Sequence, residues 1–182
     1  MQHLHALTSK SEESEMIRRR VSIASDRYEP DAISPAIRVG DLVFASGQAG
    51  FDENGVTVSG GFEPQARQAF ANLDRVLTEA GSSLADSVKV TIMVTDLEAN
   101  LETIVKLRGE FFAEPYPAYT LTQISRLAQA DWEIEIDATA VVRRRNSRPD
   151  RRGGNRDRAD ASADLPRAAS RWPTGQPERS MT

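Results

Sequence analysis

The chain has 182 residues, which is enough for one domain with a substantial core and some additional segments. It contains no cysteine, so disulfides, thiolate metal sites and cysteine nucleophiles are excluded, and a reducing compartment fits this composition. No apolar run approaches the ~18 residues of a membrane span, and the N-terminus lacks the apolar stretch of a signal peptide. We therefore expect a cytoplasmic protein that does not contact membranes.

The net charge of −4 is distributed unevenly along the chain. Residues 143–182 contain 11 Arg and 5 acidic residues, so the remainder carries a net charge of −10. An acidic body is a poor partner for nucleic acid, whose binding depends on phosphate contacts. Since the basic segment has few large apolar residues, we expect a disordered tail over 143–182. An Arg-rich arm that touches anionic partners is the alternative.

The other end of the chain is also polar. Residues 1–16 lack periodicity and predict a disordered leader, which leaves 17–142 as the folded domain. A strand-like run begins at Met16, so an alternative hypothesis is that translation starts there. His3 and His5 form a His-x-His pair within this leader, and we expect no metal site from it.

The folded part alternates between strand and helix patterns. Gly40-Asp41 separates two β-rich runs and predicts a hairpin. Glu63–Ala80 has a helical period that Gly81 ends, and Asp96 is a suitable N-cap for a second helix. The remaining runs predict strands, namely Ala36–Val39, Leu42–Ser46, Val88–Val94, Tyr119–Ile124 and Trp132–Val142.

This order, β-β-α-β-α-β-β, predicts an α+β fold with a mixed sheet and two helices packed on one face. The other face of the sheet must then be covered or solvated. Outward Val and Met residues in Val88–Val94, and outward Ile residues in Trp132–Val142, predict burial of that face against another subunit. We therefore expect a ring-shaped oligomer.

Several segments together resemble the Rid (reactive-intermediate deaminase, YjgF-like) family over residues 18–143. The segments are A-I-R-V-G-D-L-V-F-A-S-G-Q from Ala36, Q-A-R-Q-A-F-A-N-L from Gln65, A-G-S-S-L-A-D-S-V-K-V-T from Ala80, F-F-A-E-P-Y-P-A from Phe111 and E-I-D-A-T-A-V from Glu135. The resemblance implies a chorismate-mutase-like fold and a homotrimer with sites in clefts between subunits. It also implies hydrolysis of enamines and imines to a keto acid and ammonia, without a metal or organic cofactor.

The resemblance also assigns the site. It places the water-positioning acid at Glu135, and a carboxylate beside a water can align it and move a proton. Backbone N–H groups near Gly47 would assist. The substrate-binding Arg of the family falls at Tyr119, and a phenol carries no charge at neutral pH. Losing a bidentate ion pair would cost a carboxylate ligand about 2–5 kcal/mol.

Three further positions make the implied cleft more apolar. Ile33 takes the place of a family Tyr, Val105 that of a family Asn, and Leu121 that of a Cys in some members. Four cations are candidates to replace the missing Arg. Two match positions where the family has Arg outside the pocket, and two flank Val105 on its helix: Arg38, Arg126, Lys106 and Arg108.

Three functions are compatible with these residues. The first is an imine or enamine hydrolase with a non-standard substrate, and its alternative is a non-catalytic trimeric protein that binds a small molecule in the intersubunit cleft. An endoribonuclease is disfavoured by the acidic body and by the lack of His within 17–142. Glu133, Glu135 and Asp137 alternate, so a solvated acidic row is the competing interpretation of Glu135.

Overall fold

The computed structural model describes residues 17–24 and 31–142. The predicted leader over 1–16 and the predicted tail over 143–182 lie outside the described residues, as do Met16 as an alternative start and the pair of His3 and His5. The domain predicted over 17–142 contains all the described residues, and its boundaries stay predictions.

One six-stranded sheet forms the framework, in the order β1-β2-β3-β6-β4-β5. All neighbours are antiparallel except β4 and β5, which are parallel and are joined through a helix. The strands are β1 Arg18–Val21, β2 Ala36–Val39, β3 Leu42–Ala49, β4 Ser87–Val94, β5 Ala118–Gln123 and β6 Ile134–Val141. From Ala36 onward the element order is the predicted one, and β1 at the sheet edge lies within the strand-like run noted from Met16.

Two helices cover one face of this sheet, which confirms the predicted α+β class. Helix α1 spans Phe62–Glu79 and helix α2 spans Leu97–Phe111. The α1 side chains at helical spacing join a core that also contains β3, β4 and β6 residues. Phe70 of α1 stacks on Phe111 of α2 with ring centroids 4.4 Å apart, so the two helices share that core.

Local signals set the ends of both helices. The Asp96 side chain accepts a hydrogen bond from the Ala99 N–H at 3.0 Å and caps α2. Gly81 has φ 82° and follows α1, and the Ser82 N–H donates to the Leu77 carbonyl at 2.8 Å. This is the left-handed ending that glycine makes possible, as the sequence predicted.

Helix α2 is covered less completely than α1. Ile104 and Leu107 are buried in the core, whereas Leu101 and Val105 each remain 41% exposed. The two exposed side chains are four residues apart and therefore lie on the same face of the helix. This face of α2 borders the β5 edge of the sheet and forms one wall of the cavity described below.

The two faces of β6 differ in character. Ile134 and Ile136 are buried beneath the helices, so the prediction that Ile residues of this strand point outward is wrong. Alternation correctly predicts that the Ile residues share one side of the strand. That side faces the core because it packs against the apolar faces of the helices. We call the uncovered side the open face, and it carries the half-buried Glu135 and Asp137 together with Met93 of β4.

Candidate functional site

Glu135 lies on the open face in a strand that is paired on both sides. Its register partners are Ala49 of β3 and Met93 of β4, so the backbone position is fixed by two ladders. Gly47 of β3 packs directly against its carboxylate. A Cβ atom added to Gly47 would lie 1.8 Å from Glu135 Oε1. Only glycine leaves room for the carboxylate in this position.

The surroundings of Glu135 disfavour its charged form. Burial raises the pKa of the Glu135 carboxyl, and the negative charge of Asp137 raises it further. A carboxylate with a raised pKa is a stronger base than an exposed one. Such a group suits proton transfer to and from a water molecule.

Glu133 does not belong to the acidic row predicted from alternation. Strand β6 begins at Ile134, one residue later. The Glu133 N–H donates to Gln65 Oε1 of α1 at 3.0 Å, and Gln65 Nε2 donates to Glu133 Oε1 at 3.4 Å. The prediction of three acids on one solvated face is therefore wrong, and Glu135 keeps only Asp137 as an acidic neighbour on its strand.

Ile33 precedes a segment that is hydrogen-bonded to Ser46, the residue before Gly47. The Ser46 hydroxyl donates to the Ser34 carbonyl at 2.7 Å, and the Ser46 N–H donates to the Pro35 carbonyl at 2.9 Å. Ile33 is adjacent to this contact and is 45% exposed. The fold thus brings Ile33, Gly47 and Glu135 to one region, which we call the acid half-site.

Tyr119 and Leu121 lie on the other side of the sheet. Tyr119 is in register with the buried Val90, and Leu121 with the buried Ile92, so both point toward the helices. Tyr119 lines a cavity of about 320 Å³ between α2 and β5. Its walls include Val90, Val105, Arg108, Phe112, Pro117 and Tyr119. Leu121 is two residues farther along β5 and is not part of this lining.

Arg108, one of the four cations that the sequence offered in place of the missing Arg, lines this cavity. Its guanidinium carbon lies 4.1 Å from the centre of the Tyr119 ring, at cation–π distance. Arg108 follows Val105 by three residues, and this spacing places both on one helix face. The spacing was the available signal, and we call this group, with Val105 and Tyr119, the cation half-site.

The other three candidate cations contact groups outside this cavity. Lys106 Nζ lies 3.1 Å from Glu63 Oε1 on α1. Arg38 donates to the carbonyls of Gly40 and Ala80. The side chain of Arg126 donates to two carbonyls of its own loop. Among these candidates, Arg108 is the one that lines the cavity with Tyr119.

The six predicted site residues therefore form no single site within one protomer. Glu135 is on the open face, whereas Tyr119 is on the helix-covered face, and β4 runs between their strands. A ligand cannot touch both groups of one chain, because the sheet separates them. Contact with both requires a second copy of the chain.

A larger cavity of about 610 Å³ lies at the start of α1 and contains none of the predicted site residues. Among residues 17–24 and 31–142, no three His, Asp or Glu side chains are grouped as metal ligands. In the same residues, no helix combines the length and the apolar character needed to cross a bilayer. The cytoplasmic location and the lack of a nucleic-acid partner stay predictions.

Comparison with known proteins places this arrangement in a family. The profile of the endoribonuclease L-PSP family matches residues 27–142. The chain belongs to this family. Relatives with this fold carry Rid and YjgF names, so the resemblance drawn from the sequence is confirmed.

Two similar proteins align with the chain over 112 and 132 residues. The chain is 42% identical over 112 residues to the RutC family protein YjgH of Escherichia coli, covering 61% of this chain and 85% of that protein. It is 33% identical over 132 residues to the 2-iminobutanoate/2-iminopropanoate deaminase of Homo sapiens, covering 70% and 93%. The family therefore includes proteins named as deaminases.

Solved structures agree with the fold. Protein YJGH superposes with a TM-score of 0.62 at 36% identity, covering 70% of this chain and 97% of that chain. RidA from Psychrobacter sp. superposes with a TM-score of 0.57 at 34% identity, covering 60% and 88%. The mixed sheet with two helices on one face is thus the fold of the family.

Proposed function

We propose that this chain is an imine or enamine hydrolase, that is a deaminase, in which Glu135 positions the attacking water. The proposal depends chiefly on the half-buried Glu135 carboxylate held against Gly47. It is supported by the 33% identity to a human protein named as an imino-acid deaminase. Water adds to the imine carbon and ammonia leaves, so the products are a ketone or keto acid and ammonia.

The proposed role of Glu135 follows from its surroundings. Its carboxylate can accept a proton from the water as the new C–O bond forms. The same carboxyl can then return that proton to the nitrogen. As the C–N bond breaks and ammonia leaves, the carboxylate takes up the proton of the remaining hydroxyl and the C=O bond forms. Burial strengthens the carboxylate as a base, and the paired strand holds it in place. No metal or organic cofactor enters the proposal.

We also propose that the site is completed between subunits of a homotrimer. The acid half-site of one protomer would face the cation half-site of the next. Exposed apolar side chains on both surfaces support burial against a partner. Phe44 and Leu42 are 45% and 41% exposed on β3, and Leu101 and Val105 are exposed on α2.

The proposed substrate is non-standard because an uncharged Tyr119 stands where the family resemblance implies the substrate-binding Arg. Tyr119 and Val105 line the cavity where the resemblance implies Arg and Asn, and Leu121 lies two residues farther along β5. The same apolar lining favours an alternative, a non-catalytic trimeric protein that binds a small apolar or aromatic molecule in the intersubunit cleft.

A competition assay separates the two functions. An amino-acid oxidase generates imines in situ, and semicarbazide traps the imine that remains unhydrolysed. The wild-type protein should lower the yield of semicarbazone, and Glu135→Gln should reduce this effect by about a hundredfold, in the range of general acid–base contributions. Glu53→Gln, the same change at an exposed turn residue, is the matched control and should keep full activity.

Light scattering on the same samples reports the oligomeric state. A trimer that accelerates no imine hydrolysis, with Glu135→Gln indistinguishable from wild type, leaves the binding protein as the function. A monomer that is active would contradict the shared site.

A further inference from the structure

The cavity between α2 and β5 contains a cation without a charged partner. Within residues 17–24 and 31–142, the Arg108 side chain makes no ion pair and no hydrogen bond. Its observed contact is the face of the Tyr119 ring at 4.1 Å. A half-buried guanidinium that lines a cavity without an acid beside it provides a place for an anion.

Two acids near α2, Glu63 and Glu110, are paired with other cations. Arg67 of α1 donates to Glu63 at 2.7 Å and to Glu110 at 2.8 Å. Lys106 also reaches Glu63, at 3.1 Å. These contacts lie between the two helices. Arg108 instead lines the cavity between α2 and β5, whose other walls are apolar and aromatic side chains.

Those walls strengthen the attraction between Arg108 and an anion. Val90, Phe112 and Pro117 lower the local polarity, and a charge pair is stronger in such surroundings than in bulk water. The Tyr119 ring supports one face of the planar guanidinium. A supported guanidinium keeps its N–H edge available for the two oxygens of a carboxylate.

The cavity also limits the uncharged part of a ligand. Its volume of about 320 Å³ lies at the lower end of the range for small-molecule pockets, about 300–1,000 Å³. The cavity is also lined by the exposed Tyr116 and Val105 and by the buried Phe112. A branched or aromatic side chain fits this volume and these walls better than a single methyl group.

We propose that Arg108 is the carboxylate-binding residue of this cleft, and that the ligand is a 2-imino or 2-oxo acid with a branched or aromatic side chain. The charge comes from helix α2, and Tyr119 serves as the platform that orients it. This inference rests on the proposed function for the reaction. Its claim about binding stands on the geometry of Arg108 and Tyr119 and is tested without catalysis.

A pair of probes isolates the carboxylate. Titration calorimetry gives the Kd of 4-methyl-2-oxopentanoate and of the neutral ketone 4-methylpentan-2-one, which has the same branched chain without the carboxylate. Wild-type protein should bind the acid at least about tenfold more tightly, as a charge-assisted pair in a partly dry site does. Arg108→Met should remove this preference and leave the Kd of the ketone unchanged.

Matched variants identify the source of the preference. Lys106→Met removes a cation two residues away that is tied to Glu63, and the preference should survive. Tyr119→Phe keeps the ring and should keep the preference, whereas Tyr119→Leu removes the platform and should reduce it by about threefold or more. A wild-type protein with no preference, or an Arg108→Met variant that retains it, overturns the proposal.

Two further measurements test the proposal if Arg108→Met does not fold. Arg108→Gln gives the same comparison with a polar side chain. If neither Arg108 variant folds, raising the salt concentration from about 20 to 300 mM should weaken binding of the acid several-fold and leave the ketone unaffected. Acid binding that is insensitive to salt overturns the proposal in that case.

The outcomes separate this inference from the proposed function. Acid binding that depends on Arg108, in a protein without deaminase activity, removes the proposed function and keeps the inference. Deaminase activity on imino acids that is unchanged in Arg108→Met keeps the function and removes the inference.

Discussion

The acid and cation half-sites hold their charged groups in different ways. Glu135 belongs to a strand paired on both sides, and Gly47 packs against its carboxylate. Arg108 belongs to a helix with one exposed face, and an aromatic ring supports its guanidinium. The backbone ladders thus fix the acid, whereas side-chain packing fixes the cation. Substitutions should disturb the two half-sites independently.

The electrostatic contrast between them is equally clear. Burial makes the negative charge of Glu135 costly, and no cation is among the causes of its raised pKa. The positive charge of Arg108 has no acid beside it within the described residues. In the proposed trimer, one ligand would contact both charged groups, with its carboxylate at Arg108 of one copy and its imine carbon near Glu135 of another.

The largest expected effect comes from breaking the acid half-site alone. In Gly47→Ala, the new Cβ would occupy the position of Glu135 Oε1, only 1.8 Å away. Because that oxygen is the free end of a side chain, the carboxylate can swing aside, and the fold should survive. We expect kcat/KM for imine hydrolysis to fall about a hundredfold, with the Kd of 4-methyl-2-oxopentanoate within about twofold of wild type if Arg108 binds it.

Gly50→Ala is the matched control for that substitution. Its Cβ would lie 2.5 Å from the carbonyl oxygen and 2.6 Å from the Cα of Gln65, which belong to the backbone of α1. A helix backbone cannot move aside, so this variant should lose about 1–3 kcal/mol of unfolding free energy or more. If urea unfolding shows the same loss for Gly47→Ala, its lost activity does not report on Glu135.

A mixing experiment tests whether the two half-sites meet between copies. Glu135→Gln disables the acid half-site, and Arg108→Met disables the cation half-site. If each site combines halves from two protomers, an equal mixture that reassembles at random should regain about a quarter of wild-type activity. The measurement is kcat/KM for an imino acid after unfolding and refolding the two variants together.

The same mixture gives a clear contradiction. Sites built within one protomer would remain disabled in every copy, and activity would stay at the level of the separate variants. Each variant refolded alone is the control for the recovery. Light scattering must show the same oligomer in all three samples.

Local signals in the sequence predicted much of this fold. The Asp96 cap and the left-handed Gly81 act over a few residues, and both are found where they were predicted. Alternation in the last strand also separated the Ile residues from the acids. Alternation alone does not say which row faces the helices, and the assignment of outward Ile residues failed for that reason.

Arg108 illustrates what depends on tertiary contacts. In the sequence, Lys106 and Arg108 flank Val105 and look equivalent. The structure distinguishes them, because Lys106 reaches Glu63 on α1, and Arg108 reaches the Tyr119 ring on β5. Both contacts join elements that are distant in the chain. Glu133 is a similar case, since its bonds to Gln65 of α1 remove it from the acidic row.

The smallest expected effect concerns the stability cost of the acid half-site. Burial and Asp137 raise the pKa of Glu135 in the folded protein, so the folded state holds a proton that the unfolded state releases between the two pKa values. Stability therefore falls as pH rises from the ordinary Glu value of about 4.3 through the raised pKa. Glu135→Gln carries no ionisable group and avoids this loss.

Urea unfolding at about pH 4 and pH 7 measures the difference between Glu135→Gln and wild type. The free energy of unfolding of the variant, relative to wild type, should be larger at pH 7 than at pH 4. Glu53→Gln makes the same chemical change at an exposed turn and supplies the reference. If the two variants show the same pH dependence, folding does not disfavour the charged form of Glu135. The pKa of its carboxyl would then be that of an ordinary surface acid.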